Sequence, residues 1–142
     1  MVYCAVLSCD LRDVVLVKRD GKLALPGGTG IVAPTATRVY ADLCGVFVPS
    51  SAWKRAATGE GMRLYTLRAP ARWFDGTSLS SCVRFNETLH GDSYHTFVPV
   101  ADLLSLETHG EVARDTHWMV MVAANALATG DVLAVDVKRR AA

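Results

Sequence analysis

The chain is read as an α/β (α+β) protein, a sandwich with a central mixed sheet between helices. Short apolar runs with strand spacing recur along it, two longer segments carry helical spacing, and the two kinds of segment are interspersed. These patterns leave the strand order open. No repeat, low-complexity stretch or long linker divides the 142 residues, so a single domain spanning 1–142 is expected.

Residues 2–8 read as a buried strand and residues 10–13 as the turn after it. Residues 14–19 form a second strand, an apolar run ending in Lys18 and Arg19. Asp20-Gly21 is a strong hairpin signal leading into a short strand over 22–25. After Pro26-Gly27-Gly28 a helical pattern starts near Ala33, with Pro34 in its first turn, and closes at Gly45. A short strand is expected over 46–48, then a polar loop over 50–61 that contains Trp53.

Residues 62–68 alternate, placing Met62, Leu64, Thr66 and Arg68 on one face and Tyr65, Leu67 and Ala69 on the other. The stretch 70–86 carries a turn signal at Asp75-Gly76 and a strand candidate at 82–85. A strand over 94–98, closed by Pro99, precedes a short helix over 100–106. The longest helical segment is 111–128, with Gly130 placed as its C-terminal cap. Residues 131–137 alternate and read as a last strand or an ordered tail.

Composition narrows the function classes. Fifteen basic and 14 acidic side chains leave a net charge of +1, so a broad electrostatic surface for nucleic acid is not indicated. Lys138-Arg139-Arg140 reads as a solvated tail. No apolar segment approaches the length of a membrane span, and the N-terminus lacks the basic region of a signal peptide. The four cysteines, Cys4, Cys9, Cys44 and Cys82, have no metal-type spacing and read as reduced, mostly buried thiols in a cytoplasmic or nuclear setting.

The stretch DVVLVKRDGKLALPGGTGIVAPTATRVYADLCG, residues 13–45, resembles the front half of a Nudix hydrolase domain. The Nudix box ends R-E-U-x-E-E-x-G-U, U being a bulky apolar residue. Arg38 matches the arginine, Tyr40 the apolar position, and Gly45-Val46 the close. Asp42 stands at the first glutamate of the pair, while Val39 and Leu43 replace two other glutamates. The interval from Gly28 to Gly45 is shorter than the family's, which removes most of the loop carrying the first glutamate. The strand entering Pro99, the short helix beyond it and the long closing helix extend the resemblance over roughly the whole chain.

The resemblance implies a Nudix-like sandwich and a cleft for a nucleotide or other phosphorylated small molecule. Pyrophosphate hydrolysis in that family needs Mg²⁺ or Mn²⁺ held by carboxylates, because a hard cation must neutralise charge on the transferring group. Between Gly27 and Val46 the only carboxylate is Asp42, the one candidate metal ligand. The expected consequence is lost or much reduced hydrolysis, with no metal cofactor unless activity persists. Arg38, Asp42, Glu87 and Glu111 are the candidate catalytic residues, and Gly27, Gly28 and Thr29 the candidate phosphate contacts.

Two alternatives stand beside this reading. One is an active metal-dependent pyrophosphohydrolase with a departed site, acting on nucleoside-diphosphate-linked substrates through Asp42 and a later acid. The other is an interaction or scaffold domain whose apolar helix face meets a protein partner or a second copy. Ala36, Val39, Tyr40 and Leu43 form a helical stripe that fits either core packing or such a face. Arg38 and Asp42, four apart, are placed to pair on the helix surface. Trp53, Trp73 and Tyr65 are candidates to stack a base, and Trp118 reads as core. The four histidines show no tight ligand spacing.

Overall fold

The computed structural model describes residues 1–28, 35–44, 47–59, 61–69 and 95–135. Strands β1 (Val2–Leu7) and β2 (Asp13–Arg19) carry unbroken apolar runs because the sheet is covered on both faces. Their connecting loop is organised by Ser8. Its hydroxyl accepts from the N–H groups of Arg12 (3.1 Å) and Asp13 (3.0 Å) and donates to Asp10 Oδ1 at 2.7 Å. That hydroxyl and the Arg12 N–H hold the Asp10 carboxyl below its ordinary range.

Asp20 and Gly21 both adopt positive φ (51° and 81°), the backbone of a tight hairpin that matches strand twist. The chain continues into β3 (Lys22–Ala24) and β4 (Gly27–Gly28). β1 gives one whole edge to a parallel partner, β6 (Met62–Arg68), from Val2↔Arg63 to Leu7↔Arg68. Its other edge is shared by β2, which meets it only at Leu7↔Val14, and by β4 at Val2↔Gly28 and Tyr3↔Gly27. β1 and β2 therefore splay from their hairpin, and residues 22–28 fill the wedge. β7 (His95–Pro99) lies along β2 antiparallel. Among the described residues the main path of the eight-stranded sheet runs β3-β2-β1-β6, then β5 (Lys54–Gly59) and β8 (Leu133–Val135), with β4 and β7 branching from β1 and β2.

On one face α2 (Leu103–Thr108) and α3 (Thr116–Thr129) cover the sheet. Met119, Val120, Ala123 and Ala126 pack with Ala5, Leu7, Leu16 and Leu64. On the other, α1 (Ala36–Cys44) sets Ala36, Val39, Tyr40 and Cys44 against Val2, Cys4, Val6, Val15 and Val17. The expected sandwich, helices on both sides of a mixed sheet, is thus observed. The predicted faces of β6 are observed too. Met62 and Leu64 join the α3 side, while Tyr65, Leu67 and Ala69 join the α1 side.

Several boundaries differ from expectation. The polar loop expected over 50–61 is a 3-10 turn at Ser50–Ala52 followed by β5 (Lys54–Gly59), antiparallel to β6. Its KRAATG sequence hides a strand because a bulge between Arg55 and Ala57 breaks the alternation. Residues 47–49 form no strand. Val48 is buried and its carbonyl accepts from Thr37 Oγ1 at 2.6 Å.

The long helix starts at Thr116 rather than 111, because residues 111–113 are drawn onto the β3 edge. Leu23 N–H donates to Glu111 O (3.0 Å) and Ala113 N–H to Leu23 O (2.7 Å). Its first turn is completed by Glu107, whose carboxylate accepts from the His117 N–H at 3.0 Å. It ends as expected at Gly130, with φ 86° and its N–H on Ala126 O. Lys54 Nζ lies against this end, 3.5 Å from where a Gly130 side chain would begin, a favourable place for a cation. Residues 133–135 form a last strand, β8 (Leu133–Val135), parallel to β5. Among the described residues no helix is long and apolar enough to cross a membrane. The turn at Asp75-Gly76 and the strand expected over 82–85 lie outside the described residues.

Candidate functional site

The helix that resembles the Nudix box begins one residue after Thr35, whose Oγ1 accepts from the Arg38 N–H at 3.2 Å as an N-cap. The sequence pattern places the helix start near Ala33, with Pro34 in its first turn; those two residues lie outside the described residues, and Thr35 is the cap rather than part of the helix. The cap and the register fix which side chains face the sheet. Val39 and Tyr40 are buried, and Leu43 packs partly buried against the same core. Arg38 and Asp42 are exposed and form no ion pair with each other, so the expected surface pair is not made.

Tyr40 is fully enclosed and meets Trp53 edge-to-face, with ring centroids 5.6 Å apart and planes at 70°. The Trp53 indole N–H donates to Thr37 Oγ1 at 3.2 Å. Trp53 thus pins α1 to the segment preceding β5, with its polar tip already engaged in the fold. Trp118 is half-buried at the edge of the α3-side core. Trp73 lies outside the described residues.

The glycine pair is strand, not turn. Neither Gly27 nor Gly28 has positive φ. A Cβ on Gly27 would sit 2.8 Å from Tyr3 Cδ1 and 3.3 Å from Val2 O, so the Tyr3 ring occupies the place of a side chain. A Cβ on Gly28 would meet Val39 at 3.6 Å. The first glycine is required by close packing on β1, and the second lets β4 lie beneath α1. Thr29, the third candidate phosphate contact, lies outside the described residues.

The candidate acids are not brought to one place. Asp42 is on the outer side of α1. Glu111 is exposed at the β3 edge, next to Val112 of the opposite core. Glu87 lies outside the described residues. Among the described residues no three His, Cys, Asp or Glu side chains cluster where a metal ion would be held. The donor set of α1 is a single carboxylate, Asp42, where the pattern of the resembling family has several. Among the described residues no several-carboxylate metal site of the kind implied by the resemblance is built.

The thiols divide by environment. Cys4 is buried, its Sγ donates to Ala36 O at 3.6 Å, and burial pushes its pKa up to about 12. Cys44 is buried on α1, and Cys9 is exposed in the β1–β2 loop. Of the histidines, His109 is exposed and bonds Ser105 O through Nδ1 at 2.7 Å, and His117 is half-buried at the start of α3.

One charged constellation escaped the sequence reading. Arg55 stands over the Tyr65 ring, its Cζ 5.8 Å from the centroid. Arg63 and Thr58 are directly opposite each other on the neighbouring rungs. The bulge that conceals β5 also conceals this grouping. No family model matches the chain, and no curated protein matches it in sequence.

Proposed function

We propose that this chain is a Nudix-like domain that binds a nucleotide or another phosphorylated ligand, with hydrolysis lost or much reduced. One observation carries the reading. The helix at the position of the Nudix helix turns Val39 and Leu43 into the core and leaves Asp42 as its only carboxylate. On this reading a scaffold of the family's general architecture is kept while the side chains that would anchor Mg²⁺ or Mn²⁺ are replaced by packing residues. Purified protein titrated with nucleoside diphosphates and their conjugates in a calorimeter is expected to show saturable binding. The same panel with Mg²⁺ or Mn²⁺ should release product at the rate of the blank. Metal-dependent turnover abolished by Asp42→Asn would replace this reading with that of an active pyrophosphohydrolase, and absence of binding across the panel would remove it.

A different observation favours the interaction reading. Met121, Val132 and Leu133 are exposed beside a groove of about 390 Å³ between α3 and β8, also lined by Trp118 and Val122. Apolar side chains gathered at a sheet edge are a common feature of contact surfaces. On this reading the chain self-associates, and multi-angle light scattering across a dilution series should give a mass that rises with concentration. A constant monomer mass would weigh against self-association through this face.

A further inference from the structure

The α1-side face of β5 and β6 carries a grouping that the Nudix-box residues do not explain. On β6, Arg63 and Tyr65 are two residues apart and share a face, since Tyr65 packs against the α1-side core. Arg55 pairs with Tyr65 and Thr58 with Arg63. In a regular strand residues 55 and 58 would point to opposite faces. The bulge puts Ala56 and Ala57 together in the α3-side core and thereby returns Thr58 to the side of Arg55. Arg55, Thr58 and Arg63 consequently converge on one patch.

Among the described residues no acidic side chain pairs with this patch. Neither β5 nor β6 contains an acidic residue. Among the described residues Arg55 and Arg63 form no ion pair, and both are exposed. Arg55 is held over the Tyr65 ring, which leaves its N–H edges for another acceptor. Diagonal neighbours on antiparallel strands stand about 7–8 Å apart, so both guanidinium groups reach one anion between them. The Thr58 hydroxyl, partly buried and opposite Arg63, supplies a further donor to the same place.

We infer that Arg55, Thr58 and Arg63 form the anion subsite of this domain and hold the phosphate groups of its ligand, with Tyr65 as the residue that positions Arg55. This rests on the proposed binding of a phosphorylated ligand and locates it on the sheet rather than on the box helix. Guanidinium pairs grip phosphate oxygens bidentately, which selects di- and monophosphates over uncharged nucleosides.

Titration calorimetry of the full chain with ADP, inorganic pyrophosphate and adenosine tests it, with folding of each variant checked by thermal denaturation. ADP and pyrophosphate should bind the native protein and adenosine should not. Arg55→Gln and Arg63→Gln should each weaken binding by about tenfold or more, as loss of a charge-assisted hydrogen bond does. Arg114→Gln, which removes the same charge from an exposed position elsewhere, should leave it unchanged. Tyr65→Phe keeps the ring and should bind normally, whereas Tyr65→Leu should weaken binding. If ADP binds and the Arg55 and Arg63 variants bind equally well, the subsite is overturned while the ligand reading stands. Equal binding of adenosine overturns it too. If no phosphorylated probe binds the native chain, both fall together.

Discussion

Val39→Glu, which places a carboxylate where the proposed Nudix alignment has one, is expected to cost about 3 kcal/mol or more of stability. Val39 is 7% exposed, packed in the α1-side core and in contact range of β4 at Gly28. A glutamate there must be buried without a partner or swing outward and drag the helix from the sheet. Desolvation would raise its pKa above the unfolded value of about 4.3. A group with a raised folded pKa favours the fold at low pH and withdraws that support as pH rises. The deficit of the variant relative to the native chain should therefore widen from pH 4 towards neutrality, read as midpoint shifts in urea unfolding at several pH values. A variant of native stability that gained metal-dependent turnover would show Val39 bordering an open cleft, and would reverse the account of α1 as a packing helix.

Tyr40→Ala should be comparably severe, at about 3–5 kcal/mol for removal of a large enclosed aromatic side chain. Among the described residues Tyr40 is the largest of the fully buried side chains, and it lies edge-to-face with Trp53. Its loss leaves a void beneath α1 and frees the indole from the ring it packs against. Tyr40→Phe keeps the ring and the contact with Trp53, so it should lose much less. The pair separates packing from the hydroxyl when both are measured by denaturant midpoint. A Tyr40→Ala midpoint within experimental error of the native one would mean that α1 does not seal that side of the sheet.

The two variants also mark what the sequence makes legible. The inward stripe of α1 is readable at Ala36, Val39, Tyr40 and Leu43 because helical spacing and apolarity coincide there. The strands β1 and β2 are readable for a similar reason, as is the hairpin at Asp20-Gly21. β5 is hidden because lysine, arginine and alanine have weak strand preference, and its bulge destroys the period that would compensate. The start of α3 is misplaced because the pairing of residues 111–113 with Leu23 is a contact across the fold that no local pattern announces. For the candidate site, the poverty of carboxylates between Gly27 and Val46 is plain from the order of residues. What stays out of sight is the grouping of Arg55, Thr58 and Arg63, which needs both the strand and its irregularity to be known. The strand role of Gly27 is likewise set by the ring of Tyr3, a partner far away in sequence.

The parallel pairing of β1 with β6 bears on how the polypeptide reaches its native state. β1, which precedes its partner by about sixty residues in the chain, is central in the finished sheet, yet one whole edge waits for residues 63–68 to be placed. Closing that loop costs entropy before any ladder repays it, and the last strand adds a second parallel closure onto β5. Until then the valine-rich backbone of β1 and β2 is exposed as an unfinished edge, the kind of intermediate that aggregates. Refolding should accordingly be slow for a chain of this size, and its yield should fall as protein concentration rises.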